Sequence, residues 1–276
     1  MVVEAPPRPK RLELVGSDRK QSVVFERPAV HVGHRILIYG PGGIGKTTFA
    51  DLAPAPVVSI DLDDSLGVLQ PPHTQRVAGV TDWRELREAL LAGGWDGVKT
   101  IVIDSATKAE ELAVKYTLST VLTEKGTRPS SIEGYGYGKG YQHVYETWMP
   151  LLEDLDSHVQ SGRNVVLICH DCTTSVPNPQ GEDWIRYEPR LQSPSSGKSS
   201  IRLRTREWAD HVLFLGYDID VSEDGKARGG GTRTMYPTEQ PFCMAKSRRL
   251  TAPMPVVAGS DEIWRALLAP PSKEAE

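Results

Sequence analysis

The segment from residue 35 to residue 48 holds the residues whose types and spacing are best suited to chemistry, and it reads RILIYGPGGIGKTT. Its second half matches G-x-x-x-x-G-K-[ST], a pattern in which glycine-rich backbone surrounds a phosphate. Glycine reaches backbone angles closed to other residues, so successive N–H groups can turn toward one anion. The pattern predicts a phosphate-binding loop made of Gly40, Pro41, Gly42, Gly43, Ile44, Gly45, Lys46, Thr47 and Thr48.

Two side chains complete this loop. In the pattern, the lysine (here Lys46) reaches the β- and γ-phosphates of a nucleotide, and the hydroxyl of Thr47 is a ligand for Mg²⁺. A helix beginning near Lys46 would direct the positive end of its dipole at the same position. We therefore expect ATP and Mg²⁺ as ligands, and a glycine-rich turn that matches by chance is the alternative.

Polar residues that follow three other apolar runs could share a site with this loop. Those runs end at Asp63, Asp104 and His170. Parallel strands present ligand-binding residues at their carboxyl ends, so these side chains are expected at one edge of a sheet. Asp104 is the expected Mg²⁺ carboxylate. Because Ser105 and not a glutamate follows it, the acid that activates water must come from another strand.

Asp63 is the expected general base, and Asp64 is the second candidate. The alternative is that these aspartates cap a turn or a helix. His170 could donate a hydrogen bond to the terminal phosphate, or it could have a purely structural role. The catalytic candidates at this edge are therefore Lys46, Asp63, Asp104 and His170.

The composition limits the class of protein. The chain has 276 residues, a formal net charge of −4 and 39% hydrophobic residues, which fits one α/β domain with tails or two small domains. No apolar run is long enough to cross a membrane. The three cysteines are an odd number that suits a reducing compartment better than a disulfide framework. We expect a cytoplasmic protein with no membrane partner.

Alternating apolar runs and helical patterns predict an α/β fold, with a mostly parallel twisted sheet covered by helices on both faces. The predicted strands are residues 36–39, 57–60, 100–103, 165–169, 211–216, 232–236 and 242–245. Predicted helices cover residues 47–52, start at a cap on Thr81, follow Asp104 to about residue 122, cover 144–159, and start at a cap on Ser260. Pro150 is expected to kink its helix or to begin a new one.

The remaining segments are predicted as loops or tails. Residues 124–141 have the composition of a polar loop, and residues 171–205 that of a long mobile loop. We divide the chain into an N-terminal tail or edge segment at 1–32, a core at 33–258, and a C-terminal helix and tail at 259–276. A β-like piece at residues 22–25 lies within the first of these.

The chain resembles the phage-encoded RecA-like nucleotide-binding proteins associated with single-strand annealing. The resemblance covers residues 33–250 and is carried by stretches in the expected order at 40–48, 60–64, 101–105, 134–141, 165–170, 206–210 and 245–248. The sequences GYGYGKGY at 134–141 and AKSR at 245–248 are the more specific of these stretches.

This resemblance implies a RecA-like P-loop NTPase core that uses ATP and assembles on single-stranded DNA as a homo-oligomeric ring or filament, in the host bacterial cytoplasm. A single-strand-binding protein is a further candidate partner. In RecA the catalytic carboxylate lies at the end of the corresponding strand, and the Mg²⁺ aspartate precedes a serine. Here Asp63 stands where RecA has glutamate, and because aspartate reaches less far, the hydrolysis rate does not follow from the resemblance.

RecA-like proteins bind single strands through loops that follow core strands and helices, and two segments have suitable chemistry. The first interleaves tyrosines with a cation, and its candidates for base stacking and phosphate contact are Lys139 and Tyr141. The second is basic in an acidic protein and offers Arg186, Arg190, Lys198, Arg202 and Arg204 to the DNA backbone. Flexible, solvated loops are the alternative for both segments.

Lys246 and Arg248 form a Lys-x-Arg pair late in the chain. In the resembling family such a pair reaches the γ-phosphate of the adjacent subunit and neutralises charge in the transition state only on assembly. An ordinary basic surface patch is the alternative.

Two other functions stay open. A P-loop small-molecule kinase would use the arginine-rich segment as a lid over two phosphoryl groups, although no acceptor pocket is readable and Ser105 favours RecA. The second open function is a nucleotide-switched binding module with negligible hydrolysis, because Asp63 stands where RecA has glutamate. ATP turnover with and without single-stranded DNA distinguishes the three.

Overall fold

The computed structural model describes residues 33–195, 197–221 and 227–270. The predicted N-terminal tail, with its β-like piece at 22–25, lies outside these residues, as do the last six residues of the C-terminal tail. None of the helices in the described ranges is both long enough and apolar enough to cross a bilayer.

The strands of the described residues form a large central sheet and a separate hairpin. Their bounds are β1 Arg35–Tyr39, β2 Val57–Asp61, β3 Thr74–Arg76, β4 Thr100–Asp104, β5 Asn164–Cys169, β6 Asp171–Val176, β7 Trp184–Pro189, β8 His211–Val221, β9 Ala227–Tyr236 and β10 Met254–Pro255. The central sheet has the order β10-β9-β8-β1-β5-β4-β2-β3, and β6 pairs with β7 in the hairpin. From β8 to β3 every pairing is parallel, while β9 and β10 add antiparallel strands at one side.

Helices cover both faces of this sheet. Their bounds are α1 Lys46–Asp51, α2 Leu66–Leu69, α3 Trp83–Leu91, α4 Ala106–Thr120, α5 Lys139–Gln160, α6 Ile201–Trp208 and α7 Glu262–Leu268. On one face α1 and α7 meet through the stacked rings of Phe49 and Trp264, 5.0 Å apart. On the other face α3, α4 and α5 share a core that contains Trp83 and Trp148. The predicted α/β fold with a mostly parallel sheet is confirmed.

The strand order brings the predicted site residues to one edge of the sheet. β5 lies between β1 and β4, and its register pairs Cys169 with Tyr39 and Ile168 with Asp104. Asp104 in turn pairs with Asp61 of β2. The residues that follow these four strands therefore emerge side by side, which is where open parallel sheets bind ligands.

Capping residues fix how two helices start near this edge. Ser105 accepts a hydrogen bond from the N–H of Lys108 and so turns the end of β4 directly into α4. The cap of α3 is Asp82 and not the predicted Thr81, because the Asp82 carboxylate accepts from the N–H groups of Arg84 and Glu85.

The prediction of a long mobile loop at residues 171–205 is wrong. Residues 171–189 form the hairpin of β6 and β7, and α6 begins at Ile201. Turn-type composition was misleading here because neither hairpin strand carries an apolar run: β6 alternates half-buried and exposed positions after its first residue, and β7 buries only its last two residues. Ion pairs of Glu188 with Arg186 and Arg202 hold this hairpin, together with the stacking of Tyr187 on Phe214.

Two smaller predictions also need correction, and one of the two alternatives for Pro150 is excluded. Residues 132–135, predicted as loop, form a 3₁₀ turn, and α5 already begins at Lys139. This helix continues through Pro150, so the proline does not begin a new helix, and the kink stays a prediction. Residues 242–245 form isolated bridges and not a strand, since Cys243 pairs singly with Tyr187 and with Gln240.

Candidate functional site

The predicted phosphate-binding loop connects β1 to α1 and has the backbone that an anion cradle needs. Gly43 and Gly45 have φ values of 77° and 95°, in the left-handed region that favours glycine. At Gly40 a Cβ atom would lie 2.2 Å from the carbonyl oxygen of Leu215, so β8 packs against the start of the loop too closely for a side chain. The loop shape therefore depends on glycine at each of these positions.

Lys46 is held inside this loop. Its Nζ donates to the carbonyl oxygens of Gly40 and Pro41 at 2.7 and 2.9 Å. Burial lowers the pKa of the Lys46 ammonium, and the negative charges of Asp171 and Asp104 act against that shift. No carboxylate of the described residues forms a salt bridge with Lys46. A phosphate oxygen could therefore replace the loop carbonyls as its partner without breaking an ion pair.

Thr47 and Asp104 form a pair of oxygen ligands beside the loop. The Thr47 hydroxyl donates to Oδ2 of Asp104 at 2.6 Å. Burial raises the pKa of Asp104 to about 6, although the hydrogen bond from Thr47 lowers it. A hard divalent cation prefers such oxygen donors and would favour the ionised carboxylate. The donor set therefore fits the predicted Mg²⁺ site, in which Thr47 and Asp104 would hold the ion.

The acidic residues after β2 have different surroundings. Oδ2 of Asp63 lies 3.5 Å from Nε2 of His170, at the edge of the sheet that carries the phosphate-binding loop. Asp64 is 80% exposed at its side chain and pairs with Arg76 at 2.9 Å. Asp61 is buried and accepts hydrogen bonds from the N–H groups of residues 65 and 66, which is a turn-capping role. Of the two candidate bases, the structure places Asp63 beside His170 and directs Asp64 toward Arg76.

Two polar residues near the loop were missed from the sequence. Asp171, the first residue of β6, exerts the strongest attraction on Lys46 among the charged groups around it. It follows His170 directly, so the strand-end argument that found His170 could have found it. Arg233 of β9 donates from Nη1 to the Ile44 carbonyl at 2.8 Å. Nothing in the local sequence indicates this contact, which depends on the pairing of β9 with β8.

The predicted Lys-x-Arg pair lies at the opposite edge of the sheet. Lys246 pairs through its backbone with Val212 near the start of β8. Nε of Arg248 lies 3.0 Å from Asp210, whose carboxylate also accepts from the N–H of Arg35 at the start of β1. Because β1 rises about 3.3 Å per residue, its length of five residues puts about 13 Å between this edge and the loop. These two cations lie away from the chain's own phosphate-binding loop.

Two of the arginines predicted to bind DNA are inside the protein. Arg202 is 9% exposed, and its guanidinium pairs with Glu188 and donates to the Leu191 carbonyl at 3.1 Å. Arg186 pairs with Glu188 at 2.7 Å and with Glu239. These partners already neutralise both cations and leave their guanidinium groups little access to solvent. The prediction that Arg186 and Arg202 contact DNA is therefore corrected to a role in holding the hairpin.

The other predicted DNA-contacting residues lie at the surface. Arg190, Lys198 and Arg204 are exposed. Lys139 pairs with Glu124, and the Tyr141 hydroxyl donates to Glu133 at 3.2 Å. Among the described residues, Arg190, Lys198 and Arg204 thus have no buried partner. Lys139 and Tyr141, the candidates of the first predicted segment, instead contact glutamates at the protein surface.

Comparisons with known proteins bear on the phosphate-binding loop and its sheet. A search of curated proteins finds no match to the chain. A family model described as an AAA domain matches residues 33–249, which include the loop, Asp63, Asp104 and His170. This match covers most of the 276 residues and agrees with a nucleotide-binding ATPase built on a P-loop core. The chain belongs to the AAA domain family.

Proposed function

We propose that this protein is a RecA-like ATPase that acts on single-stranded DNA in phage recombination, by strand annealing or strand exchange. It assembles as a homo-oligomeric ring or filament in the host cytoplasm and can work beside a single-strand-binding protein. The family match supports the ATPase part of this proposal. The DNA part depends on one observation, the connection between the basic surface and His170.

That connection runs through the segment between β7 and α6. The N–H of Arg190 donates to the carbonyl oxygen of His170 at 2.9 Å, so an exposed cation is joined to the residue beside Asp63. Gln192 then donates to the carbonyl oxygens of Tyr141 and Ser199, each at 2.9 Å. A strand that binds Arg190 and Lys198 would therefore bind next to the catalytic edge and could alter the position of His170.

The chemistry follows from the residues at this edge. Lys46 binds the β- and γ-phosphates, and Asp63 accepts a proton from the attacking water as its oxygen bonds to the terminal phosphorus. The bond from that phosphorus to the bridging oxygen breaks, and ADP leaves with the bonding electrons while the new phosphate keeps the water oxygen. Mg²⁺, when bound, supplies charge neutralisation on the phosphate oxygens.

The kinase alternative loses its main support. It needed the arginines of residues 186–206 as a lid over two phosphoryl groups, but Arg186 and Arg202 are paired with glutamates. The nucleotide-switched module is a second candidate, since the side chain of Asp63 is shorter than glutamate and reaches less far toward the attacking water. Turnover measurements separate it from the ATPase.

The first experiment measures ATP turnover with and without single-stranded DNA, at two salt concentrations, for wild type and Lys46→Ala. We expect stimulation by DNA that weakens with salt, and no turnover in the variant. Turnover without DNA stimulation would contradict the DNA part of the proposal, and nucleotide binding without turnover would favour the switched module.

The second experiment tests the basic surface. Arg190→Ala with Lys198→Ala should lower single-strand affinity about 10-fold at moderate salt, and reduce the salt slope by about 1.4, because two phosphate contacts are lost. Arg265→Ala is the matched control, since Arg265 is 72% exposed on α7 and, among the described residues, its salt bridge is to Asp261 just before that helix. Equal affinities in wild type and the double variant would remove this surface from the DNA site.

A further inference from the structure

An aromatic cleft opens beside the phosphate-binding loop, and neither the loop pattern nor the proposed DNA surface uses it. Its volume is about 440 Å³, within the range of small-molecule sites. Pro41 of the loop forms one wall, and the other lining residues are Tyr187, Phe214, Gly216, Tyr217, Tyr236 and Phe242. The cleft therefore joins an apolar, ring-lined space to the point where phosphate is expected.

The rings of the cleft are held in place before any ligand binds. Phe214 forms the floor and is 3% exposed, and Tyr187 stacks on it with ring centres 5.2 Å apart. Phe242 and Tyr236 meet edge to face at 5.1 Å. The buried hydroxyl of Tyr39 lies 2.7 Å from the carbonyl oxygen of Met244 and 3.0 Å from that of Tyr187, and its single proton can be donated to either, so it holds two wall segments together. The cleft needs little ordering to accept a flat ligand.

The open side of the cleft presents aromatic surface that the fold itself does not bury. Phe242 is 40% exposed and Tyr217 is 43% exposed, although Phe214 below them is buried. Aromatic faces stack readily on nucleobases, with little dependence on the base. Burial raises the pKa of Tyr236, so its phenol stays protonated as a hydrogen-bond donor. Such a site suits a planar heterocycle with ring-nitrogen acceptors.

The strand order directs a bound nucleotide toward this cleft. Asp104 and Asp63 lie on one side of β1, after β4 and β2, whereas Phe214, Gly216 and Tyr236 belong to β8 and β9 on the other side. Three strand spacings separate β4 from β8, which is about 14 Å. An extended nucleoside triphosphate can cover this span, with its terminal phosphate near Asp104 and its base beyond Pro41.

We propose that the aromatic cleft is the site for the base of the nucleotide whose phosphates bind the loop. The base stacks on the exposed face offered by Phe242 and Tyr217, over the floor formed by Phe214. This assignment rests on the proposed function, because it requires that the loop binds a nucleoside triphosphate.

The test compares a ligand that has a base with one that lacks it. Calorimetric titration measures the affinities of MgATP and of magnesium tripolyphosphate for wild type, Phe242→Ala, Tyr217→Ala and Phe242→Trp. In the two alanine variants we expect ATP affinity to fall about 5- to 100-fold, as base stacking would predict, with tripolyphosphate affinity unchanged. Phe242→Trp should retain ATP binding, and Leu122→Ala, which removes an exposed apolar side chain outside the cleft, should change neither affinity.

Several results would overturn the assignment. Unchanged ATP affinity in both alanine variants would contradict it. If the oligomeric state also changed in these variants, the cleft would instead be an interface with a second copy of the chain. Parallel losses for both ligands in both variants would show that the cleft merely supports the loop. If wild type binds neither ligand, the proposed function itself fails. If wild type still binds tripolyphosphate, the proposed function stands and only the cleft assignment is in question.

Discussion

Asp63 and Asp64 are adjacent and chemically identical, yet the fold gives them different surroundings. Asp63 follows β2 at the loop edge and faces His170 across 3.5 Å. Asp64 has a φ of 55° and turns outward to Arg76. A carboxylate that activates water must lie close to the terminal phosphate, so the outward turn of Asp64 favours Asp63 as the base. The choice of Asp63 as the base stays a prediction, which substitution of each of the two adjacent aspartates can test.

Asp63→Asn should slow ATP hydrolysis at least about 100-fold, because the amide cannot accept the proton of the attacking water. ATP affinity should change little, since Lys46 and the loop remain. Asp64→Asn is the matched control and should keep near-normal turnover. The measurement is single-turnover hydrolysis with the nucleotide affinities determined in parallel. A slow Asp64→Asn beside a normal Asp63→Asn would reverse the assignment.

At the scale of elements, ion pairs join α6 to the β6–β7 hairpin and join both to Glu239 after β9. Glu188 of β7 is 5% exposed and receives the guanidinium groups of Arg186 and Arg202 from two different elements. Arg202 also donates to Thr174 of β6 at 3.1 Å. Removing the acid would leave two cations with little access to water. This arrangement makes the carboxylate of Glu188 a stability determinant.

Glu188→Gln should lower the free energy of unfolding by about 3 kcal/mol, because breaking a buried pair leaves charge uncompensated. Urea denaturation measures this change. The control is Glu207→Gln, since Glu207 is 70% exposed and lies 3.7 Å from Arg204. Exposed pairs of this kind contribute less than about 1 kcal/mol, so the control should be nearly neutral. Equal effects of the two substitutions would contradict the structural role of Glu188.

A half-buried acid, Glu110, connects α4 to the segment before α6 and should make stability depend on pH. Glu110 accepts the N–H of Gln192 at 2.6 Å, and burial raises its pKa to about 7. Between an unfolded pKa of about 4.3 and this value, the folded state keeps a proton that the unfolded state has lost. The proton-linked stabilisation is therefore present below about pH 4 and is lost as pH rises through 7.

Glu110→Gln removes this titration and should be more stable than wild type at pH 8, by up to about 3 kcal/mol, with the difference shrinking toward pH 5. The glutamine oxygen can still accept from Gln192. Glu111→Gln is a neighbouring control, since Glu111 is exposed and pairs with Lys108 along the helix. Urea denaturation at several pH values measures the three proteins. A stability difference that does not vary with pH would contradict the buried proton.

Five of the six parallel strands could be predicted from the sequence because each is a short apolar run followed by polar residues. The loop, Asp104 and His170 could be located for the same reason. The sixth strand, β3, reads Thr-Gln-Arg and was not predicted, because it carries no apolar run. The hairpin could not be predicted, since Glu188 of its second strand pairs with Arg202 of α6, 14 residues away, and nothing in the local sequence shows that pairing. The same residue types looked like a DNA-binding surface because sequence alone does not show whether an arginine has an internal partner. The contact of Arg233 with Ile44 was likewise invisible, because it depends on a distant strand pairing.

At the scale of the whole molecule, the chemistry is divided between two edges of one sheet. The phosphate-binding loop and Asp63 lie at the carboxyl ends of the parallel strands, while Lys246 and Arg248 lie at the other edge. Arg248 is 72% exposed and pairs with Asp210. A cation so placed cannot complete its own site, but it can complete the site of a neighbour in a closed or helical assembly. This division is what the proposed assembly requires.

A mixing experiment tests that division directly. Lys46→Ala should fail because its loop does not bind phosphate, and Arg248→Ala should fail because each site lacks a neighbouring cation, with hydrolysis reduced about 1000-fold. In an equal mixture, the intact loop of one variant can meet the intact Arg248 of the other. Random head-to-tail assembly would make about a quarter of the interfaces complete, so turnover should recover to about that fraction of wild type. Arg249→Ala mixed with Lys46→Ala is the control, because Arg249 contacts its own Ala269 carbonyl and should retain activity unmixed. No recovery in the first mixture, with both variants assembled, would contradict action across the subunit boundary.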